Sequence, residues 1–270
     1  QDPDLATWRS FVNRVIHPTH HVRIGVVGKY IELQDAYKSI YEALTHAGAA
    51  TDCKVDIVRV DAEAIEKAGP ELYLTGLQGI LIPGGFGDRG TEGKILAAKY
   101  AREQGIPFFG ICLGMQIAVI EFARNVAGLA GANSTEFDKA APHPVISLME
   151  EQKKVINLGG TMRLGTWVTD LAPGSKAYHL YQSATITERH RHRYEFNSDY
   201  KENLESHGLL VSGTSPNGEL AEIIELPQHP YFVACQFHPE FLSKPNHPHA
   251  LFHGFVKAAM NHHGTPPVSC

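Results

Sequence analysis

From residue 22 onward the chain alternates short, dense apolar runs with stretches whose apolar residues recur at helical spacing. Residues 22–27 and 55–60 are rich in Val and Ile and read as strands. Residues 79–82 (GILI) and the run Ile106, Pro107, Phe108, Phe109, Ile111 are continuous enough for strands buried on both faces. Between them, residues 35–47 form a helix that Gly48 should close, residues 62–68 a short helix and residues 93–104 a longer one. After Ile111, the positions of Met115, Ile117, Ala118, Ile120 and Phe122 open another helix. Strands separated by helices predict an α/β fold with an open, mostly parallel central sheet and helices on both faces.

The flanks read differently. Residues 2–16 predict an isolated helix with Asp2 as cap, Pro3 in its first turn and one stripe of Leu5, Trp8, Phe11, Val12, Val15 and Ile16. After residue 123 the pattern loosens: residues 125–144 are loop-rich, 145–149 form a strand, and 158–165 (LGGTMRLG) read as a glycine-rich loop. Short runs at 184–186, 209–212, 220–225 and 232–237 predict further strands, some antiparallel, and residues 248–260 a closing helix. The expected organisation is a linker helix over residues 1–21, one domain over 22–261 and a flexible polar tail over 262–270. The chain opens on Gln1 rather than Met, so a piece of a longer protein is expected.

Composition excludes more than it selects. A net charge of −5 and a pI of about 6.3 give no general electrostatic case for nucleic-acid or membrane binding. No apolar run approaches the ~20 residues that span a bilayer. Cys53, Cys112, Cys235 and Cys270 show no CxxC or zinc-ligand spacing, which predicts free thiols, a reducing cytoplasmic setting and no metal.

One of those cysteines sits where strand meets helix, in Gly110-Ile111-Cys112-Leu113-Gly114. This is a glycine-flanked nucleophile elbow with cysteine in the place of serine. The turn pushes Cys112 outward, and the unpaired N–H groups and dipole of the helix N-terminus favour its thiolate. The alternative is one more buried apolar thiol. Gln236-Phe237-His238-Pro239-Glu240-Phe241 ends an apolar strand; in extended chain His238 and Glu240 share a face, and a carboxylate-held histidine is the base a thiol nucleophile needs. The alternative is an ordinary surface pair.

Gly85-Phe86-Gly87-Asp88-Arg89-Gly90 matches the dinucleotide fingerprint, but the next strand ends without the ribose-binding carboxylate. A better use of Gly84 and Gly85 is to bring a backbone N–H to a developing oxyanion. In ERHRHRYE (188–195), Arg189, Arg191 and Arg193 share one face; flanking Glu188 and Glu195 argue against a nucleic-acid patch and for a single arginine gripping a carboxylate. Glu136, in NSTEF, is placed to pair with an ammonium group.

Together these segments resemble class I (triad-type) glutamine amidotransferase domains. GKY, DAYKS, NSTEF, LGGTMRLG and ERHRHRYE narrow the resemblance to the C-terminal glutaminase domains of the CTP synthase family, over about residues 22 to 260. The resemblance implies Cys112 as nucleophile with His238 and Glu240 completing the triad, and an oxyanion hole from the N–H groups of Gly85 and Leu113. It implies that L-glutamine is held by Gly85, Leu113, Gly114, Met115, Gln116, Glu136 and Arg193, with Arg193 on the α-carboxylate and Glu136 on the α-ammonium. It places ATP, Mg2+ and UTP in a synthetase half that this chain lacks, with GTP as an activator near Phe86 and Arg89, and a homo-oligomer at full length. The alternative for these two is a core Phe86 and a merely exposed Arg89. Rival readings are another class I amidotransferase or γ-glutamyl hydrolase, a dinucleotide-dependent oxidoreductase, and a catalytically silent regulatory fragment.

Overall fold

The computed structural model describes residues 4–29, 34–148 and 162–262. Its first half alternates as the pattern predicts: α1 (Ala6–Ile16), β1 (His20–Gly28), α2 (Lys38–Ala50), β2 (Cys53–Asp61), α3 (Ala62–Ala68), the single turn α4 (Glu71–Leu74), β3 (Gly79–Ile82), α5 (Thr91–Gln104), β4 (Phe108–Ile111) and α6 (Leu113–Asn125). The second half contains β5 (Ala132–Ser134), β6 (His143–Leu148), β7 (Arg163–Leu171), α7 (Lys176–Tyr181), β8 (Thr185–His192), β9 (Tyr194–Phe196), α8 (Lys201–Ser206), β10 (Leu210–Thr214), β11 (Ala221–Glu225), β12 (Phe232–Cys235) and α9 (Ala250–Asn261).

A nine-stranded sheet runs in the order β2-β1-β3-β4-β12-β11-β10-β7-β8. It is parallel from β2 to β12 and antiparallel beyond. Alternation along β4 shows why both faces must be covered. Phe108 stacks on Phe232 at 4.3 Å within the core that includes α3, α5 and α6, whereas Phe109 meets Phe252 of α9 edge-on at 5.1 Å in the core on the other face. A short sheet, β5-β6-β9, lies beside it. Among the described residues, no helix is long and apolar enough to cross a membrane.

Several local expectations change. Helix α2 runs through Gly48 to Ala50 and ends at Thr51, whose Oγ1 donates to the Ala47 carbonyl at 3.0 Å. Within LGGTMRLG, residues 158–161 lie outside the described residues, and Arg163 to Gly165 begin β7 rather than a loop. The strand expected at 184–186 extends through His192, because β7 pairs with it along its length. Asp2 and Pro3 also lie outside the described residues; Asp4 Oδ1 accepts from the Ala6 N–H at 3.0 Å. Helix α1 buries none of its residues and leaves Trp8 (47%) and Ile16 (63%) exposed.

A tight joint lies between β3 and α6. A Cβ on Gly114 would stand 2.1 Å from the Ile82 carbonyl oxygen, so the first turn of α6 fits only with hydrogen at that position. Gly114→Ala is expected to lower the unfolding free energy by about 1–3 kcal/mol, read as a lower urea midpoint; an unchanged midpoint contradicts this packing.

Candidate active site

Neighbouring parallel strands β3, β4 and β12 end side by side, with Ile82 opposite Gly110 and Cys235 opposite Ile111. The segments leaving these carboxyl ends therefore converge, the usual place for a site in an open α/β sheet. Cys112 leaves β4 with φ +52° and ψ −102°, a conformation that costs a non-glycine residue backbone strain. Its N–H donates to the Cys235 carbonyl at 2.7 Å, and its own carbonyl accepts from the N–H groups of Met115 (3.1 Å) and Gln116 (3.3 Å). As the first two residues of α6, Leu113 and Gly114 carry N–H groups with no intrahelical acceptor. The thiol is buried, with 3% exposure.

His238 and Glu240 are paired as expected, for a different local reason. The strand stops at Cys235, and His238 caps a 3-10 turn over Pro239–Phe241 that brings Glu240 back toward it. Nδ1 of His238 lies 2.8 Å from Glu240 Oε1, and the His238 N–H donates to the Arg189 carbonyl of β8 at 2.8 Å. Burial pulls the imidazole pKa down, but proximity to Cys112 and Glu240 outweighs burial and raises it to about 10. Cys112 and Glu240 thus hold the ring toward its imidazolium form. Gly84 completes this contact, since a Cβ there would lie 2.8 Å from His238 Cε1 and 3.5 Å from Cys112 Cβ.

Charged side chains fix the loop over residues 83–90. Lys29 Nζ donates to the Phe86 carbonyl, Lys94 Nζ to that of Arg89 at 3.2 Å, and the Gly87 N–H to Glu136 Oε1 at 2.9 Å. Lys94 is buried, and burial followed by repulsion from Lys29 lowers its pKa to about 8. Phe86 is half-exposed, so the core alternative for it fails. Arg89 pairs with Glu63 and donates to the Lys29 carbonyl at 3.3 Å, so it braces the loop instead of being merely exposed.

Gln116 is buried in the first turn of α6; its Nε2 donates to the Tyr194 carbonyl at 2.9 Å and contacts Gln236 Oε1 at 3.3 Å. Gln236 in turn points Nε2 at Cys112 Sγ, 3.7 Å away. Glu136 and Arg193 both act electrostatically on Tyr194, which places both carboxylate and guanidinium near that residue. Strand β8 alternates: Arg189 and Arg191 face outward while Glu188, His190 and His192 are buried. Burial lowers the pKa of His190 to about 2 and that of His192 to about 3, so both stay neutral. A cleft of about 520 Å³ reaches His238, with Leu164, Arg189, Arg191 and Phe241 among its walls.

The structure thus brings Cys112, His238, Glu240, the loop carrying Gly84 and Gly85, the 113–116 turn and Glu136 together, while Arg193 stands beside Tyr194, whose carbonyl holds Gln116. Gln236, Lys94 and Phe241 had no role assigned from the sequence. For Gln236 the signal was available, because it stands two residues before His238. Among the described residues, no group of three or more His, Cys, Asp or Glu side chains is arranged to hold a metal ion.

Comparison with known proteins agrees with this geometry. The model of the family "Glutamine amidotransferase class-I" matches residues 32–258. The CTP synthase of Trichormus variabilis is 55% identical over 260 residues, covering 96% of this chain and 48% of that protein. That of Methanocaldococcus jannaschii is 58% identical over 266 residues, covering 96% and 49%. The chain therefore spans about half the length of the curated relatives it matches. A solved glutaminase domain of Trypanosoma brucei CTPS, with bound acivicin, superposes with a TM-score of 0.84 at 40% identity over 92% of this chain and 97% of that one. The chain belongs to the class-I glutamine amidotransferase family, among the glutaminase domains of CTP synthases.

Proposed function

We propose that Cys112, His238 and Glu240 hydrolyse the side-chain amide of L-glutamine. The observation that carries this reading is the strained thiol of Cys112 beside an imidazolium held at 2.8 Å by Glu240. The thiolate attacks the carboxamide carbon, and the N–H groups of Gly85 and Leu113 take the developing oxyanion. As the C–N bond breaks, His238 gives its proton to the departing ammonia and leaves a γ-glutamyl thioester on Cys112. Neutral His238 then takes a proton from water; the hydroxide attacks, the C–S bond breaks, and glutamate leaves with the thiolate–imidazolium pair restored. Arg193 suits the α-carboxylate and Glu136 the α-ammonium, while the backbone of residues 113–116 and the buried Gln116 close the pocket.

The ammonia is destined for a synthetase domain, where UTP activated by ATP with Mg2+ becomes CTP. Helix α1, which buries none of its residues and leaves the apolar Trp8, Val12, Val15 and Ile16 exposed, serves as the linker toward that domain, and the full-length protein is a homo-oligomer. A free thiol nucleophile fits a reducing setting such as the cytoplasm. GTP acts as activator at the loop over residues 83–90, supported by the exposed ring of Phe86 and by Arg89 at its end.

Cys112→Ala is expected to reduce ammonia release from glutamine by about a thousandfold or more with an unchanged circular-dichroism melt; appreciable turnover by this variant removes Cys112 from the chemistry. Arg193→Lys loses the planar fork, and the KM for glutamine should rise about tenfold or more with a smaller change in kcat. An unchanged KM takes Arg193 out of substrate recognition. GTP titration followed by intrinsic fluorescence should give weaker binding in Arg89→Ala than in wild type; identical curves place the effector elsewhere.

A further inference from the structure

Glu240 restrains the His238 ring in its own plane through Nδ1 and Cys112 meets the ring as well, but contacts in the ring plane leave it free to tilt out of that plane. A second restraint lies on the face of the ring. Phe241, the next residue of the same 3-10 turn, places its ring 5.4 Å from the imidazole with an interplanar angle of 22°. The arrangement is fixed at the backbone as well, because the Phe241 N–H donates to the His238 carbonyl at 3.3 Å. Packing demand does not explain this phenylalanine. It is 50% exposed and lines the cleft that reaches His238, whereas its neighbour Glu240 is buried.

We propose that Phe241 is a positioning residue for glutamine hydrolysis: its ring lies on the His238 imidazolium, holds it in line with Cys112, and favours its protonated form. The inference rests on the triad reading given above. The face of an aromatic ring attracts a cation within about 6 Å of its centroid, and an imidazolium stacked there keeps its edge nitrogens for Glu240 and the thiol. The proton in question is the one that ammonia carries away, so the ring acts on the step that breaks the C–N bond.

Other charged groups face His238 too. Cys112 approaches from the elbow and Glu240 from its own turn. Buried His190 and His192 of β8 feel its charge, and Arg189 and Arg191 share the cleft wall with it. Both arginines carry the same sign of charge as an imidazolium, and the ring of Phe241 lines the same cleft. Substituting Phe241 leaves all six in place and removes only the ring.

The His238 imidazole is titrated by NMR in the full chain, its Cε1–H signal being the one missing from His238→Asn. The wild-type midpoint is expected near 10. In Phe241→Leu it should fall by about half to one and a half pH units, and kcat for glutamine should drop about three- to tenfold with KM unchanged. Phe241→Tyr restores both, and Phe241→Met, a second ringless variant, repeats the Leu result. A Phe241→Leu midpoint within about 0.2 pH units of wild type, well under the expected effect, overturns the proposal whatever happens to turnover. Glutamine hydrolysis that survives Cys112→Ala overturns the triad reading instead, and leaves the titration result to stand on its own.

Discussion

One hydrogen bond joins the two halves of the chemistry: the N–H of Cys112 donates to the carbonyl of Cys235 at 2.7 Å. It is the last rung between β4 and β12, strands more than a hundred residues apart in sequence. Past this rung one chain turns sharply into α6 and the other into the 3-10 turn of His238 and Glu240. The spacing of Cys112 and His238 is therefore set by sheet register. A slip of one residue would turn every side chain of β12 to the opposite face, which the buried Phe232 and Val233 forbid from both sides. Hydrophobic packing thus fixes the geometry of a polar site that could not fix itself.

Around this joint the protein carries groups that a fold selected only for stability would discard. Cys112 holds a positive φ, Lys94 is a buried cation with a lowered pKa, and β8 turns Glu188, His190 and His192 inward. The buried charges on and beside β8 are paired. Glu188 accepts from Tyr181 at 2.7 Å and contacts His249 at 2.8 Å, and Arg163 pairs with buried Glu222 at 2.6 Å. Buried pairs of this kind return little net stability, because desolvation consumes most of the attraction. Their effect is to fix orientation. The β8 backbone they immobilise supplies the Arg189 carbonyl that receives the His238 N–H.

The parallel half of the fold was legible because its signals are local. Apolar runs bounded by glycine state strands, and α3 and β3 have the bounds their patterns predict. The elbow was legible too, since Gly110 and Gly114 bracket Cys112. His238 and Glu240 were paired correctly through the wrong geometry: Pro239 starts a 3-10 turn there instead of prolonging the strand. What escaped were contacts made by residues distant in sequence. Lys94 looks like any exposed helical lysine until the loop over residues 83–90 folds across it. Likewise, nothing in ERHRHRYE announces that its histidines are neutral core residues, because that depends on what β7 and β11 bring opposite them.

Glu136 shows how recognition and catalysis share one frame. Its Oε1 accepts the Gly87 N–H, two residues beyond the glycine proposed for the oxyanion hole, while the same carboxylate is the proposed seat of the substrate ammonium. Lys29 and Lys94 hold the carbonyls of Phe86 and Arg89 on either side of that peptide. A loop rich in glycine has the close approach the oxyanion needs but little rigidity of its own. The three charged side chains come from the end of β1, from α5 and from the segment after β5, and they supply that rigidity from outside. In the proposed function the substrate's amino-acid end meets the same carboxylate that steadies the loop. The requirements of an accessible backbone and a fixed one are met by different parts of the chain.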